Sequence, residues 1–273
     1  MTSTRNIIDP ASAEIPRHLT ARSAIASTLL GVSPPELPTR SLVSTVELLG
    51  IAPGTARVAM SRMVAAGELH ATGDGYRLVG RPLLARQTRQ AISLRGAPDG
   101  WDGRWRPAVV AADRRPAAER AQLRAAMVSL RYGELREGVW LRPANLPTGS
   151  LPDPEALVDN RCTLLDARPD DPHDVVTRLW DLPSWASTAA ELLADIDRLG
   201  ARLVDHDHTA LADGFVTSAS VLRHLQADPL LPAELLPADW PGGALRTEYG
   251  AYDQAFKATL GAWLRTAEEP AAG

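Results

Sequence analysis

The chain has 273 residues, 45% of them apolar, with a formal net charge of −4. That length suggests two or three compact domains. No apolar run approaches the roughly 18 residues needed to cross a bilayer, which predicts a soluble, cytoplasmic protein. The single cysteine, Cys162, excludes an internal disulfide framework and a cysteine-based zinc site.

Residues 1–16 are polar, mixed in charge and without an apolar h-region, so they read as a frayed tail and not as a signal or transit peptide. Beyond them the charge is uneven. Between Arg17 and Arg95 ten arginines face four acids, a net +6, whereas residues 96–273 carry −9. A DNA-binding module fused to a sensing module produces such an asymmetry, although chance clustering in an arginine-rich chain is the plainer alternative. Lys257 is the only lysine, which points to a GC-rich genome.

Pro-rich patches at 32–35, 96–99, 143–154 and 168–172 divide the chain into blocks of 17–97, 98–170 and 171–273. The first block predicts a helix over Thr20–Leu30. A second follows over Arg40–Leu49, with Thr39 as its N-cap and Leu42, Val43, Val46 and Leu49 as its apolar stripe. A third starts at Pro53 and stops near Gly67. Leu69–Thr72 and Tyr76–Val79 flank an Asp-Gly turn and predict a β-hairpin. Three helices followed by a hairpin is the order of a winged helix-turn-helix, with Arg81–Arg95 as a linker helix.

The second block alternates: a strand over Arg106–Ala112, a helix over Pro116–Leu130, and strands at Val139–Leu141 and Cys162–Leu165. It reads as a small ferredoxin-like α+β unit in which the stretch 143–160 is a loop. The third block reads as helical over about 173–181, 184–200, 208–227, 232–237 and 244–267.

In a helix-turn-helix the third helix enters the major groove. Ala56, Ala59, Met60 and Met63 fall on one face, leaving Thr55, Arg57, Val58, Ser61 and Arg62 to face DNA. Small outward residues permit close approach, Val58 suits a thymine methyl, and either arginine suits bidentate contact with guanine. Thr39, Arg40 and Ser41, at the start of the second helix, suit phosphate. Tyr76 and Arg77, on the hairpin, suit the minor groove or backbone.

Several stretches resemble the PaaX family of bacterial transcriptional repressors, in the family's order. They are Ala56–Gly67, Trp101–Arg106, Gly138–Pro143 and, most specifically, Leu231–Gly242, so the similarity covers about residues 20–265. The resemblance implies a multidomain α+β protein with an N-terminal winged helix-turn-helix, a central ferredoxin-like domain and a helical C-terminal domain. It further implies a homodimer on a palindromic operator of double-stranded DNA, released by a small-molecule effector such as an acyl- or aryl-CoA thioester, with no catalysis and no cofactor. Val58 stands where the family commonly has threonine, so the operator is expected to differ.

Other constellations compete. Asp113, just beyond the first central strand, is the natural centre for a metal-dependent nuclease reading; a helix cap is the plainer role. Asp205-His206-Asp207-His208 is the most metal-like run, with a solvated turn as the plainer reading. Trp101, Trp105 and Trp140, with Arg104, Arg106 and Arg142, suit an apolar effector pocket with phosphate ligands, to which His206 and His208 would add. Core packing is the plainer role for any single tryptophan. A protein-interaction adaptor on a winged fold is the third class.

Overall fold

The computed structural model describes residues 20–111 and 116–268. The Thr20 hydroxyl accepts the Ser23 N–H at 3.2 Å and so caps α1 (Ala21–Leu30). A short strand, β1 (Glu36–Pro38), follows where the pattern shows none; three residues carry too little periodicity to register. Next come α2 (Thr39–Leu48), α3 (Pro53–Ala65), β2 (Leu69–Ala71) and β3 (Gly75–Leu78). The sheet order is β1-β3-β2, antiparallel throughout. Ile25, Leu29, Leu42, Val46, Met60 and Met63 fill the core between the helices and this sheet. The arrangement is compatible with a winged helix-turn-helix.

Thr39 does not cap α2. Pro38 holds the cap position, and the Thr39 hydroxyl and amide both donate to the Asp74 carbonyl, at 3.0 and 2.9 Å. The start of α2 is thereby pinned to the hairpin turn. This needs β1 to lie hard against β3 at Pro38↔Gly75, where a Cβ on Gly75 would overlap the Leu37 carbonyl.

The linker helix, α4, spans Arg81–Arg95 as the pattern predicts. The central unit runs β4 (Ala108–Val110), α5 (Ala117–Ser129), β5 (Gly133–Arg136), β6 (Val139–Leu141), α6 (Pro152–Arg161) and β7 (Cys162–Leu164). Its sheet order, β5-β6-β4-β7 with every pair antiparallel, is the ferredoxin-like topology. Sequence patterning misses β5, and it misses α6 inside the expected loop because Pro152 and Pro154 mask a helical first turn. Leu123, Ala126 and Met127 of α5 pack inward as expected, with Trp140 and Val158.

The remaining helices are α7 (Pro172–Leu179), α8 (Leu182–Val204), α9 (Leu211–Ala227) and α10 (Gly242–Glu268). Asp171 and Asp181 cap the first two by accepting first-turn amides. The expected short helix near 232–237 is a single 3-10 turn. A further apolar cluster joins the central unit to this bundle through Trp105, Val176, Leu182, Leu231 and Leu235.

A buried polar joint links all three parts. Arg131, after α5, donates from Nη2 to the Ser93 hydroxyl of α4 at 2.7 Å and from Nη1 to the Gln226 carbonyl of α9. Arg246 of α10 donates from Nε to the Ser93 carbonyl at 2.8 Å and from Nη2 to Asp228 at 2.6 Å. Asp228 also accepts the Leu230 N–H at 2.8 Å.

Removing one member of a buried ion pair strands the other charge. Asp228→Ala is therefore expected to lower unfolding stability by about 3–5 kcal/mol in a urea titration. Gly75→Ala, which forces backbone apart at the hairpin, is expected to cost about 2 kcal/mol or more in the same assay.

Candidate nucleic-acid interface

The third helix is amphipathic in the sense the spacing requires. Ala56, Met60 and Met63 are buried, while Thr55, Arg57, Val58, Ser61 and Arg62 are exposed. Val58, at 52% exposure, stands out from the middle of that outer face. Arg57 and Arg62 make no ion pair or hydrogen bond among the described residues, so both guanidinium groups are open to an external acceptor. No side chain caps the start of α2 or of α3; at α2 the Asp74 carbonyl takes the Thr39 amide instead.

Folding brings parts of the two helices together. Thr39, Arg40 and Arg57 line one surface concavity of about 570 Å³, with Val43, Ser44 and the hairpin residue Asp74. Two expected contacts are placed differently. Ser41 is 6% exposed and turned into the core beneath α2, so its side chain does not reach this surface. Arg77 is exposed but tied to Glu36, Nε to Oε2 at 2.7 Å. That bond holds the Glu36 carboxyl below the usual carboxylate range. Tyr76 lies half-buried against the core of the first unit.

The expected effector residues do not converge. Trp105 is fully buried, edge-on to Trp101 with ring centroids 6.4 Å apart. Trp140 is a core residue beneath the Arg124 guanidinium. Arg104 is occupied by Asp102 at 2.6 Å, which keeps the Asp102 carboxyl low together with the Arg104 amide. Arg106 is half-buried and held by its backbone, its amide donating to the Arg142 carbonyl. His206 and His208 sit at the far end of the helical bundle, in the connection between α8 and α9. There Asp207 accepts the Thr209 amide and hydroxyl and pairs with Arg202, which organises a turn. Among the described residues no cluster of His, Cys, Asp and Glu has metal-binding geometry. Asp113 lies outside the described residues.

Of the expected effector set, Arg142 lines a cavity of about 190 Å³. It does so with residues that sequence reasoning missed, Arg95 and Arg131. No local signal marks them; the partners of Arg131 lie 38 and 95 positions away.

Three family models match in succession: PaaX-like protein over residues 20–81, the PaaX central Cas2-like domain over 98–174, and the PaaX-like C-terminal domain over 180–265. The chain belongs to the PaaX family. PaaX proteins are transcriptional regulators, which makes a regulatory role the reading for this chain. A solved structure, the uncharacterized protein Rv0674 from Mycobacterium tuberculosis, is 41% identical. It aligns over 90% of this chain and 99% of its own, with a TM-score of 0.69. Among curated proteins none matches significantly. No helix among the described residues is long and apolar enough to cross a membrane.

Because Val58 is exposed and touches no core residue, Val58→Thr is expected to leave stability within about 0.5 kcal/mol of the parent. It is expected to change base preference at one operator position, read by selecting bound sequences from a randomised pool.

Proposed function

We propose that this PaaX-family regulator is a sequence-specific DNA-binding repressor that acts as a homodimer on a palindromic operator and is released by a small-molecule effector. The observation that carries the reading is the outer face of α3. It presents two unpaired arginines among small side chains, in the most basic part of an otherwise acidic chain. A helix with that surface enters the major groove closely and offers guanidinium forks to guanine. Arg40 and Thr39, beside the uncapped start of α2, are suited to hold the flanking phosphates. Two-fold symmetry would set the recognition helices about 34–36 Å apart, one turn of DNA.

Repression of a catabolic operon, by steric occlusion of its promoter, is the simplest output. Effector control fits the three-part architecture, because the linker helix α4 is bonded to the rest of the chain at one buried joint. An effector acts only through unequal affinity for the bound and released states. A CoA thioester, the class implied by the family resemblance, needs a groove for a nucleotide, and the residues expected to build one are dispersed.

Gel shift on the DNA upstream of its own gene tests this reading. A specific complex at about 0.1 M salt is expected, with log affinity falling against log salt by about 0.9 per phosphate contacted. Arg57→Ala or Arg62→Ala is expected to weaken the specific complex by roughly 5- to 150-fold, the equivalent of about 1–3 kcal/mol. Absence of any specific shift, with both variants indistinguishable from the parent, sinks the repressor reading.

A further inference from the structure

Buried arginines are normally paired with an acid, since an isolated buried charge is costly. Two arginines here are not. Arg131 is 8% and Arg142 6% exposed, and neither has a carboxylate within ion-pair distance among the described residues. Arg142 lies over the Tyr132 ring, 5.2 Å from its centroid, and its one hydrogen bond, to the Pro143 carbonyl, is long at 3.4 Å. The Nε–H groups of both arginines are buried without an acceptor. Burial, with the nearby Arg246 and Arg89 cations, pulls the Arg131 guanidinium down to about 10, although Asp228 opposes the change.

The backbone at Arg131 adds to the anomaly. It follows α5 at φ 66°, the left-handed position that glycine ordinarily fills after a helix. Arg131 thus occupies a position that is costly for a non-glycine residue, one shared among the described non-glycine residues only by His206 and Leu230.

Both residues line the same cavity, of about 190 Å³, between the end of α4, the end of α5 and the entry to α6. Arg95 lines it as well, and Ile92, Leu130 and Leu146 supply apolar wall. The one acid in the lining, Glu155, is already spent. It accepts the amides of Gly149 at 2.6 Å and Leu151 at 3.1 Å. Two buried guanidinium groups, with the exposed Arg95 beside them, against one occupied carboxylate leave the cavity cationic. A cavity of about 150 Å³ suffices for benzene, so the space fits a small ring or short chain and excludes a nucleotide.

We infer that this cavity binds a small organic carboxylate, its apolar part against Ile92, Leu130 and Leu146 and its carboxylate accepting from Arg131 and Arg142. The carboxylate supplies the missing counter-charge, and guanidinium forks match its geometry. The site also reaches the linker helix. Arg131 is bonded to Ser93, and Ile92 and Arg95 belong to the last turn of α4. Occupancy therefore bears on the element that leads to the DNA-binding unit. That coupling rests on the repressor reading; binding in the cavity does not.

Full-length protein is titrated with benzoate, hexanoate, benzamide and inorganic phosphate by calorimetry and by thermal melting. Benzoate or hexanoate is expected to bind with one-to-one saturation and to raise the melting temperature. Benzamide, which lacks the charge, and phosphate, which lacks the apolar part, are expected to bind at least tenfold more weakly. Arg142→Met is expected to abolish carboxylate binding while the ligand-free protein melts at the same or a higher temperature, since an unpaired buried charge has gone. Leu146→Trp, which fills the cavity and removes no charge, is expected to block binding too. The assignment is overturned if neither carboxylate binds, if binding survives Leu146→Trp, or if Arg142→Met lowers the melting temperature of the ligand-free protein. Gel shift on the same samples separates the two readings. Carboxylate binding with unchanged DNA affinity keeps the site and removes its role as effector site, whereas loss of the DNA complex on saturation supports both.

Discussion

The Ser93–Arg131–Asp228–Arg246 network is the constraint on which the rest of the molecule depends. It is the place where the linker helix, the central sheet unit and the helical bundle all meet through buried hydrogen bonds. Apolar contact is non-directional and tolerates sliding, whereas directed hydrogen bonds to particular acceptors fix a single relative position. Asp228 is the only carboxylate in it. It balances Arg246 directly and Arg131 at longer range, so the joint carries more positive than negative charge. An excess of buried cation of this kind makes the joint sensitive to any anion that can reach it.

The N-terminal unit follows a different logic. Its helices are held by ordinary core packing, and its polar bonds serve to aim side chains. The Asp74 carbonyl receives both the amide and the hydroxyl of Thr39, which fixes the start of α2 against the hairpin. Arg22 and Arg77 are consumed by Glu68 and Glu36. The arginines left unpaired on α3 are therefore Arg57 and Arg62, and that selective pairing concentrates positive charge on the outer face of α3, the face proposed to meet DNA.

Periodicity made the helices legible. α3 and α4 lie where their patterns place them, and Met60 and Met63 face inward because their spacing allows no other face. Short elements were not legible. β1 and β5 hold three and four residues, and α6 hides behind two prolines in what reads as a loop. The outer face of α3 follows directly from its inner one, since solvent exposure is what packing leaves over. The cavity arginines could not be found this way. Whether Arg131 or Arg142 is buried depends on residues brought from remote parts of the chain, and nothing near them in sequence distinguishes them from solvated arginines. Trp105 and Trp140 take the plainer role that their type allows, each filling a separate apolar cluster.

The uninterrupted course of α4 has a mechanical consequence. Fifteen residues at 1.5 Å each make a rod about 22 Å long. Its far end adjoins Gly80 and the hairpin, and its near end adjoins the cavity. A tilt of about 10° at the near end carries the far end through about 4 Å, by the length of the rod alone. In the two-fold assembly proposed above the displacement would be doubled, because both arms move. Recognition helices matched to one turn of DNA would lose register under a change of that size, so on that proposal this short helix converts a side-chain rearrangement into a difference that a double helix can feel.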